Sequence, residues 1–129
     1  MSDIKTNSFK LSVLLVTYNH ENYIRIALDS LFNQKFDGVI ELVIADDESS
    51  DNTISIIKEY ENIDDRFIFK YLKNTKNMGI TKNYQRGFSQ CTGKYVAVLE
   101  GDDYWINPFK LQEQIDFLDI HMECNLCSV

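Results

Sequence analysis

Three carboxylates close one apolar run of this chain. Tyr95-Val-Ala-Val-Leu99 is followed at once by Glu100, Asp102 and Asp103, with Gly101 as the joint. Acid groups this close repel one another unless protons or a cation intervene, and their oxygens suit a hard ion such as Mg²⁺ or Mn²⁺. A second acidic run, Asp46-Asp47-Glu48-Ser49-Ser50-Asp51, follows the apolar residues 39–45. Either run alone also reads as a solvated turn capping the next helix. Together they carry more, provided the fold delivers them to one place.

The elements that must do so can be read from periodicity. Leu11-Ser-Val-Leu-Leu-Val-Thr17 has the pattern of a buried strand. Tyr23, Ile24, Ala27, Leu28, Leu31 and Phe32 then recur at helical spacing. Residues 39–45 make a second buried strand, and Ser50 or Asp51 would cap a helix packed through Ile54, Ile57 and Tyr60. Arg66-Phe-Ile-Phe-Lys-Tyr-Leu72 alternates as a third strand, nearer an edge. Ile80, Tyr84, Gly87, Phe88 and Cys91 share a helical face, with Gly93 as its stop. Residues 95–99 form a fourth strand covered on both faces. Asn107-Pro108 starts a helix packed through Leu111, Ile115 and Leu118, and residues 125–129 begin another strand. This alternation predicts an α/β fold, three-layer α/β/α with a mostly parallel central sheet.

Composition narrows the function. The 129 residues suffice for one core, and 44% hydrophobic content with a single proline indicates an ordered globular chain. Thirteen basic against 20 acidic residues give a net charge of −7, which disfavours nucleic acid and anionic membranes. No apolar run reaches the roughly 20 residues of a spanning helix, and residues 1–10 lack a secretory core. Three cysteines then fit a reducing compartment, with Cys124 and Cys127 read as core thiols rather than zinc ligands. Residues 1–10 read as an extension and 11–129 as one domain that stops in mid-element, as a truncated chain would.

In a parallel sheet, ligands bind beyond the carboxyl ends of the strands. Asp46, Asp47, Glu48 and Asp51 would then share a crevice with Glu100, Asp102 and Asp103, and the first strand would bring Thr17, Tyr18 and Asn19 there. Metal-binding acids beside an aromatic ring suit a nucleoside diphosphate. The cation would bridge the diphosphate oxygens, Tyr18 would stack on the base, and a carboxylate would accept a base N–H or ribose hydroxyl. Lys76, Lys82 and Arg86 lie where they could neutralise phosphates, or simply form a solvated helix face. A phospho-receiver or an Asp-x-Asp phosphatase places its acids after the first strand, where this chain has Thr-Tyr-Asn.

These segments resemble family 2 glycosyltransferases of the GT-A fold. Leu11-Ser-Val-Leu-Leu-Val-Thr-Tyr-Asn19 is similar to their opening strand, and Asp46-Asp-Glu-Ser-Ser-Asp-Asn-Thr53 to their Asp-Asp-Gly-Ser-x-Asp-x-Thr segment. Asn77-Met-Gly79 matches their Asn-x-Gly turn, and Leu99-Glu-Gly-Asp-Asp-Tyr-Trp105 looks like a variant of their DxD region. The order and spacing hold from about Leu11 onward.

The resemblance implies transfer of a sugar from a nucleotide-diphosphate donor, most naturally a UDP-sugar, to a hydroxyl acceptor with inversion. It places Thr17, Tyr18, Asp46 and Asp47 at the base, and Asp102 and Asp103 at the ribose and metal-bound diphosphate. Nucleotide contacts are thus expected from Thr17, Tyr18, Asn19, Asp46, Asp47, Lys82 and Asp102. Metal contacts are expected from Asp102, Asp103 and Glu100. Glu48 stands where the family has glycine, and Glu100 replaces the first aspartate of the motif with a longer arm. The resemblance covers the donor half; a catalytic aspartate base would lie beyond residue 129. It further implies cytoplasmic work in cell-surface polysaccharide assembly, peripheral to the membrane. A degenerate module kept for partner binding is the rival reading, and an open sheet edge would favour homo-oligomers.

Overall fold

The computed structural model describes residues 9–74 and 76–120. Elements alternate as β1 (Leu11–Thr17), α1 (Ile24–Phe32), β2 (Ile40–Asp46), α2 (Thr53–Lys58), β3 (Phe67–Tyr71), α3 (Ile80–Gln90), β4 (Tyr95–Glu100) and α4 (Lys110–Ile120). The four strands form one sheet in the order β3-β2-β1-β4, and every pairing is parallel. The strand expected at 125–129 and Cys124 and Cys127 fall outside the described residues.

Alternation along the strands explains the layers. Leu11, Val13 and Leu15 of β1 and Ile40, Leu42 and Ile44 of β2 join α1, α2 and α4 in one core cluster. Leu14, Val16, Val43 and Ala45 point the other way, where Tyr84 of α3 and Cys91 just after it pack on them. Three helices thus cover one face and α3 the other, giving the three-layer α/β/α architecture.

Two expectations shift. β4 is not covered on both faces: only Leu99 is buried in it, because among the described residues it is an edge strand. The buried positions of α3 are Asn83 and Gly87, whereas Ile80 is 71% exposed and Phe88 47%. The helix is rolled so that Gly87 meets Leu14, whose Cδ1 would lie 2.5 Å from an added Cβ. Asn83 tolerates burial because its amide donates to Ala45 O at 2.8 Å. Gly93 serves a close approach rather than a left-handed helix stop. A Cβ there would sit 2.6 Å from Ser12 N, and its own N–H reaches Ser12 Oγ at 2.8 Å.

That approach belongs to a buried polar network at the amino ends of the strands. Glu41, 4% exposed, accepts from Ser12 Oγ at 2.6 Å and from Thr92 N at 2.8 Å, with Lys70 Nζ at 3.7 Å. Burial opposes its charge, but these hydrogen bonds outweigh burial and hold the carboxyl below its ordinary range. A depressed pKa contributes stability that is present above the unfolded-state value and lost as pH falls through the folded one. Glu41→Gln should therefore cost about 2 kcal/mol near neutral pH. The gap to the parent should shrink in acid, as read by thermal unfolding across pH. A gap that stays constant with pH would show that the charge contributes nothing.

Candidate functional site

The register of the sheet sets the site. Thr17 pairs with Asp46 and Val16 with Glu100, so β1, β2 and β4 end flush. The ladder runs one step further on each side: Asp47 N donates to Thr17 O and Gly101 N to Val16 O, both at 2.9 Å. Beyond this edge lies a cavity of about 410 Å³. Its walls include Thr17, Tyr18 and His20 from the end of β1 and the loop after it, Asp47 after β2, Asn77, Gly79 and Asn83 around the start of α3, and Glu100 and Asp102 from the end of β4 onward.

Asp47 and Asp102 thus face one cleft, and the other acids divide by task. Asp46 is buried beneath the cavity, taking Thr17 Oγ1 at 2.6 Å and Ser49 N at 2.8 Å. Asp51 accepts from Thr53 N at 2.9 Å and Glu21 N at 3.1 Å. Burial works against its charge, yet bonds from Thr53 and Glu21 keep its carboxyl below the ordinary range. Asp47 is 5% exposed and accepts from Met78 N at 2.7 Å and Gly79 N at 3.0 Å. It therefore shapes the Asn77-Met78-Gly79 turn while lining the cavity. Asp103 is exposed outside the cavity lining, with Oδ1 taken by Tyr104 N at 2.8 Å.

Three further candidates fall outside the cavity lining. Asn19 adopts φ 54° and clips two loops together: its Oδ1 accepts from Ser50 N and its N donates to Ser49 Oγ, both at 2.8 Å. Lys82 is exposed on α3. Arg86 donates to Lys73 O and Asp46 O at 2.7 Å each, so it pins the loop before α3 rather than waiting for phosphate.

The residues not anticipated are His20, Asn83, Ile80 and Tyr84. His20 lies under Gly101, where an added Cβ would come within 2.5 Å of Nδ1. Its Nε2 is 3.8 Å from Asp102 Oδ2, and Nδ1 is buried with no hydrogen-bond partner. Its place directly after Thr-Tyr-Asn was a usable signal. Tyr84 read as a core position, yet its hydroxyl donates to Glu100 Oε2. Burial first, and Glu100 second, push the Tyr84 phenol well above its ordinary range, so it remains a donor.

The donors suit a hard cation that brings its own ligands. Among the described residues no three His, Cys, Asp or Glu groups converge to hold a metal alone. Asp102, with 51% of its side chain exposed, and the neighbouring Asp103 fit the Mg²⁺ habit of one or two carboxylates completed by phosphate oxygens and water.

The family model "Glycosyl transferase family 2" matches residues 12–129. The chain belongs to that family. A putative teichuronic acid biosynthesis glycosyltransferase, TuaG of Bacillus subtilis, is 33% identical over 84% of this chain and 41% of that protein. Staphylococcus aureus TarS, solved with UDP-GlcNAc, superposes with TM-score 0.79 at 34% identity over 88% of this chain and 32% of that one. A Pyrobaculum calidifontis mannosyltransferase solved with GDP-Man and Mn²⁺ shares the fold at TM-score 0.76 and 22% identity, over 84% of this chain and 32% of that one. Curated mycobacterial relatives 40% identical to this chain match it over 91% of its length and 34% of theirs. The chain thus spans about a third of the length of such relatives.

One loop at the site carries strain. Glu48 adopts φ 61°, the left-handed region that glycine enters freely. That conformation costs a side-chain-bearing residue about 1–2 kcal/mol, partly offset by the extra unfolded-state entropy of glycine. Glu48→Gly should therefore stabilise the fold by about 1 kcal/mol or less, seen as a higher melting midpoint. An unchanged or lower midpoint would mean that the Glu48 side chain compensates its own backbone.

Proposed function

We propose that residues 11–129 form the donor-binding part of an inverting glycosyltransferase that uses a nucleotide-diphosphate sugar, a UDP-sugar by preference. The observation that carries this reading is the common cavity of Asp47 and Asp102 beside Tyr18, at the carboxyl edge of a parallel sheet. Family membership and the UDP-GlcNAc bound by TarS support it.

In this reading Tyr18, 48% exposed, stacks on the base. Asp47, oriented by Met78 and Gly79, accepts a base N–H with its remaining lone pairs. Asp102 and Asp103 hold the divalent cation, Mg²⁺ or Mn²⁺. When bound, that ion supplies Lewis-acid stabilisation of charge on the departing diphosphate. An acceptor hydroxyl oxygen bonds to the anomeric carbon as the bond from that carbon to the diphosphate oxygen breaks. The hydroxyl proton passes to a base, an aspartate outside these residues. The 129-residue chain alone then binds donor weakly and transfers little.

The assembly of cell-surface polysaccharide is the setting that TuaG suggests. None of the described helices is long and apolar enough to cross a membrane. Work at the cytoplasmic face belongs to the same proposal.

Calorimetric titration of the chain with UDP and GDP, with Mn²⁺ or with EDTA, tests it. UDP should bind more tightly with Mn²⁺, and Asp102→Asn should weaken that binding about tenfold, or 1.4 kcal/mol. Equal binding in EDTA would remove the metal from this reading, and no binding in either condition would leave a module that serves a partner rather than a donor.

A further inference from the structure

Tyr84 reaches from α3 to the end of β4, where its hydroxyl donates to Glu100 Oε2, and both side chains line the cavity with Asp102. The phenol does not arrive by chance. Its ring packs against the cluster of Leu14, Val16, Val43 and Ala45, and lies 6.3 Å from the Phe88 ring. α3 itself is anchored from below by Asn83 on Ala45 O and by Gly87 against Leu14. Tyr84 therefore meets Glu100 from a fixed direction. A carboxylate with one oxygen committed to a phenol is held toward α3, whereas Asp102 keeps half of its side chain in water.

We propose that Tyr84 is a positioning residue that withdraws Glu100 from the cation, leaves Asp102 and Asp103 as the metal-binding acids, and thereby keeps the affinity for free metal low. The inference rests on the donor-site reading above. Its physical basis is ligand count: each added carboxylate raises the affinity of a site for a hard divalent ion. Glu100 is two residues from Asp102 and, once released, would be a third anionic oxygen donor at the same edge. With two acids only, the cation needs the diphosphate to complete its shell. Metal and nucleotide then arrive and leave together, which favours release of the spent nucleotide diphosphate.

The test is Mn²⁺ binding to the 129-residue chain, read by electron paramagnetic resonance of the free ion with and without UDP. It compares parent, Tyr84→Phe, Glu100→Gln, Glu100→Asp and the Tyr84→Phe/Glu100→Gln double variant, with thermal unfolding in parallel. Tyr84→Phe should bind Mn²⁺ alone about threefold or more tightly than the parent, and the double variant should lose that gain. Glu100→Asp, too short for the phenol, should reproduce the gain even if Tyr84→Phe folds poorly. Glu100→Gln in the parent should weaken Mn²⁺ by about twofold at most, the effect of a nearby charge rather than a lost ligand.

A loss of about tenfold in Glu100→Gln would make Glu100 a ligand and overturn the proposal. Variants that lower the melting midpoint but leave Mn²⁺ affinity unmoved would reduce the pair to packing. If the parent binds UDP with Mn²⁺ while these differences are absent, this inference alone fails. If the parent binds neither nucleotide nor metal, the donor-site reading fails with it.

Discussion

β1 is hydrogen-bonded on both edges, to β2 and to β4, and the register of those two ladders governs everything at the site. Each ladder ends within a residue of the other, and each continues into the first amide of an acidic loop. Because side chains alternate with period two, a slip of one residue would send Leu14 and Val16 toward α1 and expose the other set to α3. The same slip would carry Asp47 or Gly101 off the edge. Burial along the whole of β1 and β2 makes such a slip costly, so hydrophobic alternation in the middle of the sheet fixes polar geometry at its rim.

The acids at that rim are not equivalent. Asp46 and Asp51 spend their oxygens on nearby hydroxyls and amides, and so build the loop. Asp47 does both, because its two oxygens order the turn before α3 while the residue lines the cavity. Asp102 keeps its side chain half in water and Glu100 is tethered to a phenol. A site that could have been a diffuse patch of negative charge becomes graded, with most of its carboxylates stabilised by hydrogen bonds before any ligand arrives. A bound cation would need to answer only what is left.

Much of this was legible in the residues themselves. The runs 11–17 and 40–46 have the continuous apolar character of strands buried on both faces, and the two acidic loops directly follow the second and fourth apolar runs. Their meeting required only that the strands be parallel, which the length of the connections implied. The roll of α3 was not legible. Ile80, Tyr84, Gly87, Phe88 and Cys91 form a fair apolar stripe, but a glycine lets the helix approach the sheet only at its own azimuth, which turned Asn83 inward and Phe88 outward; Ile80 shares that azimuth but opens the helix at the cavity, where it stays exposed. The exposure of β4 is similar, since a sequence records a strand's hydrophobicity but not its place in the sheet. The hydrogen bonds of Asn19 and Arg86 were not legible for a third reason: their partners lie in distant loops, most of them backbone atoms, which leave no trace in local composition.

Asn19 has an effect beyond its own geometry. With its side chain on Ser50 and its amide on Ser49, the loop after β1 and the loop after β2 are joined into a single rigid lip. Tyr18 rides on that lip beside Asp47, so the two groups that would meet a base cannot drift apart independently. Little order has to be created when a planar ring slides between them, and encounter, rather than loop rearrangement, would then set the pace of capture.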